Sequence, residues 1–155
     1  MPESPPWRTY VDSQTLFNLQ VPPDWTVDNS GQNGTRVILL SPRLVKDFRP
    51  NVNVMVHELG GLEPQEYLRL TRLQYTQITG QPWPARDEPA PFYPGGHLFE
   101  ALLPSPAVSL KIMQLVVFSG GKAFVITGTA PAEVFPVYSA DFETVCASFQ
   151  KPATP

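Results

Sequence analysis

Phe17-Asn-Leu-Gln-Val-Pro-Pro-Asp-Trp25 and Pro50-Asn-Val-Asn-Val-Met-Val56 are the two stretches that decide how this chain is read. The first is a β-prone run broken by Pro22-Pro23, because a proline has no N–H to give to a sheet ladder. The second alternates with period two, the spacing at which strand side chains point to opposite faces. It places Val52, Val54 and Val56 on one face and Asn51, Asn53, Met55 and His57 on the other. Both are sheet-forming segments, and neither carries chemistry.

Working outward, residues 7–11 and 16–21 read as two strands joined by the turn Asp12-Ser13-Gln14. A polar loop follows at 28–34, then a strand at 36–41 stopped by Pro42, a connection at 43–50, and the strand at 51–58 closed by Gly60-Gly61. The period then changes. Glu63-Pro64 opens a helix, with the proline tolerated in the first turn, and Gly80 closes it. Tyr67, Leu70, Gln74 and Ile78 share one side of it, flanked by Leu68, Leu73 and Tyr75. The connection at 81–96 is rich in proline and glycine and holds a short edge strand near 85–87. Strands follow at 97–103, 108–118 and 122–129, and Ser119-Gly120-Gly121 is a hairpin turn between the last two. Val134, Tyr138, Phe142, Val145 and Phe149 recur at helical spacing, which predicts a helix over 136–148. Strands, helix, strands, helix is the order of an α+β domain whose mainly antiparallel sheet packs against helices. The expected organisation is an arm at 1–6, one domain at 7–150 and a tail at 151–155.

The two faces of the sheet differ. In the strand at 108–118, Val108, Leu110, Ile112, Gln114, Val116 and Phe118 make one face, and Ser109, Lys111, Met113, Leu115 and Val117 the other. Grouped with the strand at 51–58, this gives one plain core face and one face mixing polar groups with methionine. Methionine is common on adaptable binding surfaces, so Asn53, Met55, His57, Lys111 and Met113 are candidate binding residues. The alternative is that helices cover both faces. Trp83, Phe92 and Tyr93 in the long connection are further candidates, either as a contact patch or as cover for a core edge.

Composition narrows the function classes. The chain has 155 residues, 42% hydrophobic and 16% charged, which suits one real core and excludes a disordered chain. Its net charge is −3 with no basic stripe, so nucleic acid is not an expected partner. No apolar run is long enough to span a membrane, and no secretory signal opens the sequence. The expected location is cytoplasmic, or exported or lumenal if a leader has been removed. Nineteen prolines gather in the ends and connections and mark the edges of elements. The single cysteine, Cys146, excludes an internal disulfide and a cysteine-rich metal site. It reads as a small buried hydrophobe near a helix C-terminus, the wrong end for a reactive thiolate.

No set of residues points to a reaction. His57-Glu58 are adjacent on a strand and diverge, and so do His97 and Glu100, whereas zinc takes three or four convergent ligands. No Gly-x-Ser-x-Gly elbow or His-Glu-x-x-His is present, and Gly95-Gly96 and Gly120-Gly121 read as turns. Asp24 and Asp28 flank Trp25 and read as loop residues. No catalytic residue, metal site or cofactor is expected, and the chain is read as a non-enzyme.

Together, Phe17 to Trp25, Pro50 to Val56, Pro64-Gln-Glu-Tyr-Leu68, the hairpin Val116-Val-Phe-Ser-Gly-Gly-Lys-Ala-Phe-Val-Ile-Thr127 and the closing Tyr138 to Phe149 resemble the PsbP-like group. This group holds photosystem oxygen-evolving subunits, Ran-release-factor proteins and bacterial DcrB- and LpqN-type proteins. The resemblance implies an α/β/α sandwich around an antiparallel sheet, in a group mostly without enzymatic activity whose members dock onto other proteins. One branch, the Eag-type chaperones of type VI secretion, holds apolar segments on its sheet. The chain departs from the lipoprotein and lumenal relatives in showing no export signal, and from the photosystem subunits in lacking their longer charged N-terminal region.

The resulting expectation is a protein-binding or adaptor module of bacterial origin. The alternatives are an Eag-type secretion chaperone, a carrier of a small apolar ligand or lipid, and an enzyme with an unrecognised site. A protein partner is expected. Homo-oligomers through an exposed edge are open, with the strands at 7–11 and 97–103 as the candidate edges.

Overall fold

The structure is a computed structural model and describes residues 6–14, 16–80 and 85–151. Of the expected arm and tail, only Pro6 and Lys151 fall among these, and Trp83 lies outside them. A seven-stranded antiparallel sheet runs in the order β3-β4-β5-β9-β8-β7-β6. Its strands are β3 (Thr26–Asp28), β4 (Val37–Leu40), β5 (Asn51–Glu58), β6 (Arg86–Pro89), β7 (His97–Leu103), β8 (Leu110–Ser119) and β9 (Lys122–Pro131). β1 (Arg8–Val11) and β2 (Asn18–Val21) form a separate hairpin, and the helices are α1 (Pro64–Thr79) and α2 (Phe135–Ser148).

The centre of the sheet is the β8–β9 hairpin. Its turn residues Gly120 and Gly121 have φ of 58° and 76°. That left-handed pair matches the twist of the strands, and only glycine adopts it without penalty. On one face Val52, Val54, Met113, Leu115, Val117, Phe124 and Ile126 meet α2 through Phe135, Phe142, Val145 and Cys146, with Phe17, Leu19 and Val21 of the hairpin layer beside them. Phe149 closes this core against the rings of Phe17 and Phe124. Each such side chain, fully buried, contributes roughly 1.5–3 kcal/mol of transfer free energy, so this layer dominates stability. On the opposite face Leu68 and Tyr75 of α1 pack on Phe99, Ala101, Ile112, Val116 and Ala123. The architecture is an α/β/α sandwich around an antiparallel sheet, as the resemblance implies.

Several details differ from expectation. Thr26–Asp28 forms an edge strand paired with β4; three residues are too short to show a period. The short strand in the long connection, β6, pairs with β7, so β7 is internal and not an edge. β6 is the edge in its place, and Arg86, Asp87 and Glu88 give it the charges that discourage edge-to-edge pairing. α1 is also rotated from its sequence reading. Leu68 and Tyr75 are buried, whereas Leu70 and Ile78 are exposed. The sheet beneath receives the line through Leu68, Arg72, Tyr75 and Thr79, because Arg72 and Tyr75 find polar partners there.

Candidate functional site

Strand register fixes which side chains share a face. Asn53 pairs with Thr127, which pairs with Gln114; Met55 pairs with Val125, which pairs with Val116. On the other side of β5, Ile38 pairs with Asn53 and Leu40 with Asn51. Paired residues point the same way, so Ile38, Leu40, Asn53, Met55, Thr127 and Gln114 lie on the face that carries α1.

α1 covers only part of that face. It sits over β7 and β8, while α2 packs on the opposite face. Ile38, Leu40 and Met55 are half-buried and belong to neither core cluster. The result is a trough with a sheet floor and one helical wall. Beside the helix it deepens into a recess of about 230 Å³ lined by Thr71, Gln74, Tyr75, Ile78, Leu103, Ile112 and Gln114.

A polar chain crosses the floor. Tyr75 donates its hydroxyl to Gln114 Oε1 at 2.8 Å, and Gln114 Nε2 donates to Thr127 Oγ1 at 2.9 Å. Burial pushes the Tyr75 hydroxyl well above its ordinary pKa, so it stays a neutral donor. At one end, His57 Nδ1 and Tyr67 Oη lie 2.7 Å apart, and Tyr67 stands edge-on to Phe118. None of the recess residues is charged. Such a surface can take apolar and uncharged polar groups, and it disfavours an ion that would lose water there without a partner.

The candidate residues divide accordingly. Asn53, Met55 and His57 come together on the α1 face. Lys111 and Met113 do not join them, which corrects the grouping of the two strands. Val52 pairs with Gly128, which pairs with Met113, so Met113 shares the valine face and is 3% exposed in the main core. Lys111 is on that side too, 3.5 Å from Glu100 and over the ring of Phe135 at 4.8 Å. The error has a physical origin: β5 and β8 are joined through β9, and their relative register is a non-local property. Phe92 and Tyr93 are half-buried against the main core, Tyr93 beside Phe149. Sequence reading missed Ile38, Leu40, Gln114, Thr127 and Ile78. The available signal was Gln114, an amide in the middle of an otherwise apolar strand face.

Asp87, His97 and Glu100 are held in structural hydrogen bonds and ion pairs. Asp87 accepts from Arg72 Nε and His97 Nε2, both at 2.5 Å. Burial pushes its carboxyl up, but the bonds from Arg72 and His97 outweigh this and hold it below the usual range. Glu100 lies on the other face with Arg86. Cys146 is fully buried, and that burial pushes its thiol up to about 12. Among the described residues, no three His, Cys, Asp or Glu side chains converge to hold a metal ion, and no helix is long and apolar enough to cross a membrane.

No family model matches the chain, and no curated protein matches it in sequence. Solved structures do match in fold. The chain superposes on the Ran-binding protein Mog1p of Saccharomyces cerevisiae with a TM-score of 0.63 at 10% identity, covering 96% of each chain. It superposes on cyanobacterial PsbP of Synechocystis with a TM-score of 0.52 at 12% identity, covering 94% of this chain and 92% of that one. A Bacteroides thetaiotaomicron protein matches with a TM-score of 0.61 at 12% identity; this chain spans about half, 48%, of its length. The fold is therefore PsbP-like.

Proposed function

We propose that this protein is a non-catalytic binding module that takes an uncharged segment of a protein partner into the trough beside α1. The observation that carries the reading is the unroofed half of the sheet. Ile38, Leu40 and Met55 are left half-buried there beside the uncharged polar groups Asn53, Thr127 and Gln114. Apolar groups grouped on one open face mark an interaction surface, and methionine lets such a surface adapt to its partner. The yeast neighbour of the same fold is a Ran-binding protein, which supports a protein as the kind of partner. Fold alone does not transfer a partner, so the reading rests on the trough.

A secretion chaperone of the Eag type is the second reading, favoured by Ile78, 67% exposed on the helical wall. It is a special case of the first, in which the segment held is strongly apolar. A carrier of a small apolar ligand would call for an enclosed cavity, whereas Ile38, Leu40 and Met55 on the trough floor are only half-buried.

The test is selection of displayed 16-residue peptides against the immobilised protein. The selection should enrich uncharged peptides, and Met55→Arg should weaken their binding at least about tenfold, the effect of an unpaired charge forced against an apolar surface. Val137→Arg, at a position 74% exposed on α2, should leave it unchanged. Enrichment of charged peptides, or binding that Met55→Arg leaves intact, would overturn the proposal.

A further inference from the structure

α1 and α2 are held to the sheet by different means. α2 buries Phe135, Phe142, Val145 and Cys146. α1, two residues longer, buries only Leu68 and Tyr75 and leaves Leu70, Leu73 and Ile78 exposed. What α1 lacks in apolar contact it makes up in directional bonds at three places. Arg72 forks onto Asp87 with Nε to Oδ2 at 2.5 Å and Nη2 to Oδ1 at 3.1 Å, and its guanidinium stands over the ring of Phe99. Tyr75 bonds to Gln114, and Tyr67 to His57. The segment is also bounded by left-handed glycines: Gly60 and Gly61 before it at φ 59° and 86°, and Gly80 after it at φ 71°. Residues at the ends of an element that can absorb large dihedral changes are what a hinge needs.

We propose that α1 is a lid over the sheet, latched by the Arg72–Asp87 pair, and that its lifting uncovers Phe99, Ala101, Ile112 and Val116. These four are buried and apolar, and they adjoin the trough floor at Gln114. With α1 raised, trough and covered surface become one continuous groove across the face, with the polar groups of Gln114 and Thr127 in its floor. A helix held by few buried side chains opens locally at a lower free energy than the whole molecule unfolds. The latch makes that opening specific, because His97 and Arg72 both depend on the one Asp87 carboxylate. The purpose of the lid rests on the docking reading of the trough; its test does not.

The experiment is hydrogen exchange by mass spectrometry on the full chain without partner. Amides of α1 should exchange at least about tenfold faster than those of α2, through local opening. Asp87→Asn keeps the shape and removes the charge, and should speed α1 by a further factor of about ten while α2 and β8 stay unchanged. Should Asp87→Asn fail to fold, Arg72→Gln breaks the same ion pair from the α1 side. Exchange of α1 and α2 at one rate overturns the lid. Rapid exchange of α1 that the latch variants leave unaltered, or acceleration of every element alike, overturns the latch. Peptide binding can fail while α1 still opens, so the two proposals fail separately.

Discussion

Gly128, in the middle of β9, lies under the ring of Phe142 from α2, and a Cβ at that position would stand 2.5 Å from Phe142 Cγ. The helix can approach the sheet this closely only because the strand has no side chain there. Phe142 is fully buried and stacks on Tyr138 and edge-on to Trp25, so it cannot swing aside.

Gly128→Ala should therefore destabilise the fold by about 1–3 kcal/mol, the usual penalty for overpacking a filled core, although alanine is otherwise the better strand residue. The check is chemical denaturation: the midpoint should fall with the slope unchanged. Phe142→Leu shortens the obstructing side chain, and in the Gly128→Ala background its own cost should be partly cancelled. Additive effects in that double-mutant cycle would mean that the contact is not what fixes the spacing.

This relationship also marks the limit of what the chain spells out locally. The alternation through Val52 to Val56, the glycine pair at 120–121 and the three- and four-residue steps through Tyr138, Phe142, Val145 and Phe149 are local signals, and each element they predict is present. Whatever depends on two distant segments was not legible in the same way. Met55 and Met113 both sit among alternating residues, yet only the ladder through β9 decides that they face opposite ways. The short β3 carries too few residues to show a period. The open half of the α1 face depends on where the helix lands, and polar partners such as Asp87 and Gln114 fix that.

Asp12 and Arg36 offer a test by acid. Asp12 is 2% exposed, accepts from the backbone N–H groups of Gln14 and Leu16, and receives Arg36 Nη2 at 2.8 Å. The bond ties the β1–β2 hairpin to the start of β4. Burial pushes the Asp12 carboxyl up, but the bonds from Arg36, Leu16 and Gln14 prevail and hold it below the usual range. A carboxyl lowered in the folded state contributes stability that is complete above its unfolded value, about 4. That contribution is lost as the pH falls through the folded value. Asp12→Asn should cost roughly 2–3 kcal/mol at neutral pH, and its difference from wild type should shrink steadily in acid. Asp87 is shifted the same way, so some acid sensitivity remains in the variant. A difference that stays constant from neutral to acid pH would show that the pair is not the source.

Leu68 and Leu70 settle the orientation of α1. Two residues apart on a helix, they point to nearly opposite sides, and periodicity alone gives the apolar side to Leu70, in line with Gln74 and Ile78. The fold gives it to Leu68, which is 3% exposed against 38% for Leu70. Leu68→Ala should lose about 2–3 kcal/mol, because it opens a cavity against the cluster around Phe99 and Val116. Leu70→Ala should stay within about 0.5 kcal/mol of wild type, as surface changes do. Thermal melts of the two variants beside wild type make the comparison directly. Equal losses would mean that the helix lies rotated by about a quarter turn or more. Tyr75 would then no longer meet Gln114, and the wall of the trough would be built from a different set of side chains.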